Sequence, residues 1–108
     1  MKDFFIYEQT KNTWRKVDGA VYPIEHPTLT GFAVHKSMTP LVGEREAEPY
    51  VVTEPMTGNA VATGRTRKEA VRRFLEDVDE RGVDAYLKQI KKRRRELSQL
   101  GLPKSPNL

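Results

Sequence analysis

The chain contains no cysteine. Disulfide staples, thiolate zinc knuckles and thiol nucleophiles are therefore excluded, and a reducing compartment fits. Histidine is almost as scarce, with His26 and His35 the only two. They form no His-x-x-x-His pair or comparable spacing that would supply a metal ligand set. Long apolar runs are missing as well, and none approaches the length of a membrane span. The opening "MKDFFIYEQ" has one lysine and an apolar patch too short for a signal-peptide core. The expectation is a soluble, cytoplasmic protein with no membrane partner.

Material for catalysis is also thin. Carboxylates abound, but no spaced pair stands out as acid and base. Ser37 near His35 is too common a pairing to mark a nucleophile. "GRTRKE" places a glycine and cations at a helix start without matching a phosphate loop. A domain of 108 residues buries a limited core and has little room for a deep cavity besides. The reading is a non-enzymatic binding protein. No cofactor, metal or small-molecule substrate is expected.

What the chain has in quantity is charge. At 37% apolar and 31% charged residues it should fold rather than stay disordered. The net charge of +4 is unevenly spread. Residues 1–64 hold six Lys/Arg against eight Asp/Glu, whereas residues 65–108 hold thirteen against seven. Such asymmetry steers a protein toward an anionic partner; the bland reading of the same charge is solubility.

The pattern along the chain predicts an α+β fold, an antiparallel sheet of about five short strands followed by two C-terminal helices. "FFIYE" (4–8) is aromatic and β-branched, as strands are. "QTKNT" reads as a turn. "WRKV" leads into Asp18-Gly19, a two-residue hairpin signal, with "AVYPI" returning. Pro23 cannot donate to a ladder and puts that strand at an edge. "LTGFAVHK" alternates, with Phe32 and Val34 on one face and Ala33 and His35 on the other. Residues 37–49 form a long loop with Glu44, Glu46 and Glu48, an acidic patch that reads as a solvated loop, a second contact surface, or a partner for the chain's own basic helices. "YVVTE" and "NAVATG" flank a turn at residues 55–58, where Gly58 takes a positive φ.

Thr66 is placed to cap a first helix, with Glu69 able to complete a capping box. Ala70, Phe74 and Val78, flanked by Val71 and Leu75, make the stripe that faces the sheet. Gly82 stops that helix. A second helix runs from about Asp84 to about Leu100. Val83, Tyr86, Leu87, Ile90 and Leu97 form its apolar side, with Arg94 inside the stripe. Lys88, Lys91, Lys92 and Arg95 fall within about a 100° arc opposite, and Arg93 lies at its margin. Residues 1–100 read as one domain and 101–108, with two prolines and a glycine, as a flexible tail.

This basic ridge is the main candidate site. Lys and Arg serve phosphate backbones as point charges and bidentate forks. Arg65, Arg67, Lys68, Arg72 and Arg73 of the first helix extend the candidate set, the first three near a helix N-terminus that favours anions. Acids at Glu69, Glu76, Asp77, Asp79 and Glu80 offer the first helix local pairs. Over 88–95 only Glu96 is close in sequence. The like-charged Lys88–Lys92 and Lys91–Arg95 pairs cost about 0.2–0.5 kcal/mol each, so this helix gains from docking on something acidic. Trp14, Tyr7, Tyr22 and Tyr50 would stack on bases if exposed, although strand aromatics in a small domain more often build its core. The sheet also lacks the glycine–aromatic motif of the common single-strand RNA readers.

The stretch "PMTGNAVATGRTRKEAVRRFLEDVDERG" resembles the hairpin-then-helix modules of small phage and mobile-element proteins. The matching residues are Thr57-Gly58, Ala62, Gly64, Thr66 and Lys68-Glu69-Ala70, about a quarter of the chain. The resemblance implies no catalytic residues. It implies a binder such as the phage inhibitors of host defence, anti-CRISPR proteins among them, which engage nucleoprotein complexes through charged surfaces. The expected partner is nucleic acid or a nucleoprotein complex. The alternative is a protein-interaction module or homodimer built on Tyr86, Leu87, Ile90 and Leu97.

Overall fold

The aromatic and β-branched segments form strands, and the capped amphipathic segments form helices, in a computed structural model that describes residues 3–8, 11–38, 48–101 and 103–107. The strands β1 (Phe5–Glu8) and β2 (Thr13–Lys16) make an antiparallel hairpin, with Tyr7 opposite Trp14. The strands β3 (Val21–Pro23), β4 (Ala33–Lys36), β5 (Tyr50–Thr53) and β6 (Ala60–Gly64) form a second antiparallel sheet in that spatial order. Two helices follow, α1 (Arg67–Arg81) and α2 (Val83–Gln99). The expected α+β order is present, with six strands among the described residues divided between two sheets where the sequence suggested about five in one.

That division corrects one turn. Asp18-Gly19 does not close a hairpin, because β2 pairs with β1 while β3 pairs with β4. The backbone stays with β1 one residue further, as Val17 N–H donates to the Phe4 carbonyl at 2.8 Å. Val17 is then buried with Phe4 and Ala33, and the chain crosses to the other sheet. Burial of Val17 outweighs the local turn preference. Pro23 does sit on an edge strand.

Alternation along β4 gives the molecule its layers. Phe32 and Val34 face the helices, where they meet Val52, Ala70, Phe74 and Val78 in the main core. Phe32 and Phe74 stack with centroids 5.0 Å apart, and Tyr86 meets Phe74 edge-on at 5.9 Å. Ala33 faces the hairpin cluster of Phe4 and Val17. The larger sheet is thus covered by helices on one side and by the hairpin on the other, the layered solution that buries both faces.

Thr66 caps α1, its hydroxyl accepting from Glu69 N–H at 3.1 Å. The reciprocal half of the capping box is absent: Glu69 turns its carboxylate to Arg65 at 3.5 Å and Arg73 at 2.9 Å. Gly82 ends α1 at φ 84° and begins α2 directly, so a single residue sets the angle between the helices. Tyr86 and Ile90 of α2 then enter the same core as Phe74.

The turn between β5 and β6 is pressed against the hairpin. Gly58, at φ 68°, has its backbone so close that an added Cβ would lie 2.5 Å from Tyr7 N and 2.6 Å from Trp14 Cζ3. The described residues of the tail, 103–107, lie here too. Asn107 accepts from Phe5 N–H at 2.8 Å and donates to the carbonyls of Phe5 at 2.8 Å and Pro55 at 2.9 Å. Ser105 Oγ donates to the Pro55 carbonyl at 2.6 Å. The proline content suggested a free end, but Ser105 and Asn107 supply the side-chain groups that seat it.

Candidate binding face on the second helix

The ridge predicted on α2 rests on residues the helix turns outward. Lys88, Lys91, Lys92 and Arg95 are all exposed. None of the four makes an ion pair among the described residues. The other cations of the helical half are treated differently. Arg65 pairs with Glu69, Arg72 with Glu76 at 3.9 Å, Arg81 with Asp77 at 3.0 Å and Arg93 with Glu96 at 3.6 Å. Arg73 binds Glu48 at 2.6 Å, Glu69 at 2.9 Å and the Thr63 carbonyl at 3.2 Å. Arg67 stacks over the Tyr22 ring, 3.7 Å from its centroid. Lys68 is exposed and, among the described residues, is the one helix cation outside α2 with neither kind of contact.

Arg94 explains itself once the fold is known. It lies in the apolar stripe because it reaches Glu54, at the end of β5 and only 1% exposed. Glu54 Oε1 accepts from Arg94 Nε at 2.6 Å and from a terminal guanidinium nitrogen. Glu54 Oε2 accepts from Thr57 N–H at 2.5 Å and from its hydroxyl at 3.0 Å. One carboxylate thus ties the β5–β6 turn to α2. A buried pair of this kind adds less to stability than to the choice of one arrangement, and removing a partner is costly. The arrangement chosen holds the stripe inward and the ridge outward. The periodicity of α2 carried the signal, an arginine among leucines and isoleucine, but its partner lies forty residues away.

The cations at the start of α1 and the anchor of α2 lie toward opposite ends of β6. Arg65, Arg67 and Lys68 follow Gly64, which pairs with Tyr50 at one end of β6. Arg94 is tied to Glu54, which follows Thr53 at the other end, where Ala60 pairs. About 13 Å of strand lies between them. Arg72 and Arg73, the other candidate cations of α1, are engaged with acids. Among the described helix residues the cations with neither an ion pair nor a ring contact are Lys68 on α1 and Lys88, Lys91, Lys92 and Arg95 on α2.

Glu48 is the one described member of the acidic loop, and it contacts a basic helix of its own chain. Arg73 and the Thr63 hydroxyl hold its carboxyl below the usual range, the Arg73 hydrogen bond first. Glu44 and Glu46 lie outside the described residues.

The residues of the alternative interface are largely spent inside the domain. Tyr86 is 5% exposed and Ile90 8%, both packed in the main core, and Leu87 leans on it. Burial, with the Asp77 charge adding to it, pushes the Tyr86 phenol up to about 12, so it stays protonated. Leu97 is half-buried and lines a groove beside the hairpin. A homodimer on these four side chains would first have to unpack the core that holds α2.

Both histidines are tied into structure. His26 Nδ1 accepts from the amides of Thr28 at 3.1 Å and Leu29 at 3.0 Å. His35 is 1% exposed; its Nδ1–H donates to the Lys36 carbonyl at 2.7 Å and Nε2 accepts from the Thr53 hydroxyl at 2.8 Å. Burial lowers its basicity. Among the described residues no cluster of three or more His, Asp or Glu is arranged to hold a metal ion, and no helix is long and apolar enough to cross a membrane. No family model, curated protein or solved structure matches the chain.

Proposed function

We propose that the chain is a binding module that engages nucleic acid, free or within a nucleoprotein complex, through the outer flank of α2. The observation that carries this reading is the contrast in charge pairing. Six arginines of the helical half have a carboxylate partner, while Lys88, Lys91, Lys92 and Arg95 have none among the described residues. Their mutual repulsion persists in the isolated chain and is relieved when a polyanion approaches. Phosphates suit this array because Lys and Arg meet them without sequence-specific geometry. A nucleoprotein target, as in an inhibitor of host defence, is what the resemblance of residues 55–82 to small mobile-element proteins implies, and the charge contrast on α2 is what supports the reading.

The test is binding of a labelled nucleic acid at stepped salt, for the parent and for Lys88, Lys91, Lys92 and Arg95 all changed to glutamine. Removing four phosphate contacts should reduce the slope of log K against log salt by about 3. Absence of salt-dependent binding by the parent, or an unchanged slope in the variant, refutes the reading. Polyglutamate binding as tightly as nucleic acid would assign the face to an acidic protein instead.

A further inference from the structure

We infer that the ligand of the α2 face is single-stranded, with one unpaired base entering the groove between the hairpin and the C-terminal end of α2. This rests on the proposed function and narrows it. The groove encloses about 310 Å³, near the lower bound for small-molecule sites and suited to one flat ring. Trp14, Met56 and Leu97 supply its apolar lining, and Arg94 and Lys104 its cations. No carboxylate lines it among the described residues. Arg94 is already neutralised by Glu54, so the free charge is that of Lys104, which makes no ion pair among the described residues.

The ridge leads to this groove. Lys91, Arg95 and Ser98 stand at i, i+4 and i+7, one strip of the helix surface, and Ser98 is an exposed part of the groove wall. From Lys88 to Arg95 the strip spans about 10 Å, room for about three phosphates at the spacing of a stacked strand. A strand following Lys88, Lys91 and Arg95 therefore brings its next base to Trp14. A duplex keeps its bases paired and has none to insert, whereas an unpaired base offers a flat face to an aromatic platform. The indole is held for this. Its Nε1–H donates to the Pro103 carbonyl at 3.0 Å, and Tyr7 packs against it edge-on at 5.5 Å.

Trp14 is the only tryptophan in the chain, so its emission reports on the groove alone. The experiment titrates the intact protein with end-labelled oligothymidylate, a duplex of equal length, and an abasic strand of equal length. Anisotropy reads binding and Trp14 emission reads the groove. Oligothymidylate should quench Trp14 and bind about tenfold more tightly than the abasic strand, the contribution of about one stacked base. The exchange Ser98→Glu, on the groove wall and one turn from Arg95, should abolish the quenching and that tenfold advantage with the circular dichroism spectrum unchanged, and its charge beside the ridge should lower the duplex affinity as well. Quenching and a tenfold advantage retained in this variant overturn the inference. Saturated anisotropy with Trp14 emission unmoved, or equal affinity for oligothymidylate and the abasic strand, overturns the inference and leaves the ridge reading standing. No anisotropy change with any strand at low salt overturns both.

Discussion

Replacing Arg94 with leucine isolates what fixes α2 to the sheet. The substitution keeps an apolar side chain in an apolar stripe and removes only the guanidinium. Glu54, 1% exposed, then keeps its bonds to the Thr57 amide and hydroxyl but loses every donor to Oε1. Removing one partner of a buried pair costs about 3–5 kcal/mol. The Arg94 side chain is 32% exposed, so water partly reaches the site and the lower figure, about 3 kcal/mol, applies. Against a total of about 5–15 kcal/mol for a small domain this is a large loss, a fall in Tm of about 12 °C or more. Glu54→Leu should cost less on the arginine side, because Arg94 can turn toward solvent. The double substitution should fall short of the sum of the two singles by about 2 kcal/mol. Urea unfolding at neutral pH, followed by far-ultraviolet circular dichroism and Trp14 emission, measures all four corners of the cycle. Arg94→Leu within about 0.5 kcal/mol of the parent, or strict additivity in the double variant, would mean that the Glu54–Arg94 pair does not hold α2 in place.

Acid should weaken the fold before its carboxylates protonate. Burial lowers His35 below its ordinary 6.5, so the unfolded chain takes up that proton first; the associated stability is complete above about pH 6.5 and declines below it by up to about 1.4 kcal/mol per pH unit. Glu48, held below its ordinary 4.5, adds a loss only as pH falls beneath that value, so the two windows separate, and a pH series of urea midpoints showing no decline between 6.5 and 5 would contradict the His35 geometry. Gly58→Ala should cost about 2 kcal/mol or more, from both positive φ and a Cβ 2.5 Å from Tyr7 N. Gly19→Ala meets no atom within 4 Å at φ 86° and should cost only about 1–2 kcal/mol; equal losses in the two would remove the close-approach argument. Asn107→Ala removes three hydrogen bonds that join Phe5 and Pro55; it should destabilise by about 1–3 kcal/mol and speed hydrogen exchange at the Phe5 amide, and an unchanged exchange rate there would place the tail's hold elsewhere.

Periodic features were legible in the sequence. Alternation from Phe32 to His35, the stripe from Ala70 to Val78 and the Thr66 and Gly82 boundaries each follow from side chains within a few residues of one another. Outcomes decided at a distance were not. The turn signal of Asp18-Gly19 was outweighed by burial of Val17 against β4, which no local window contains. The α2 stripe showed Arg94 as an anomaly, but not that Glu54 resolves it. The ridge itself followed from the 100° turn of a helix, and its lack of acids was partly visible in the run from Lys88 to Arg95. The groove was hidden, because its walls come from residues near 14, 56, 97 and 104, four segments that only the fold assembles. Trp14, read as a strand aromatic, gains its position from Gly58 and Pro103.

The bonds from Asn107 to Phe5 join positions 102 apart in sequence. During synthesis on a ribosome the β1–β2 hairpin emerges before residue 107 and lacks this anchor until that residue has left the exit tunnel. For that interval the backbone of Phe5 stands open to other strands. A nascent chain stalled before residue 105 should therefore be more prone to proteolysis near residue 5 than one in which Asn107 has docked.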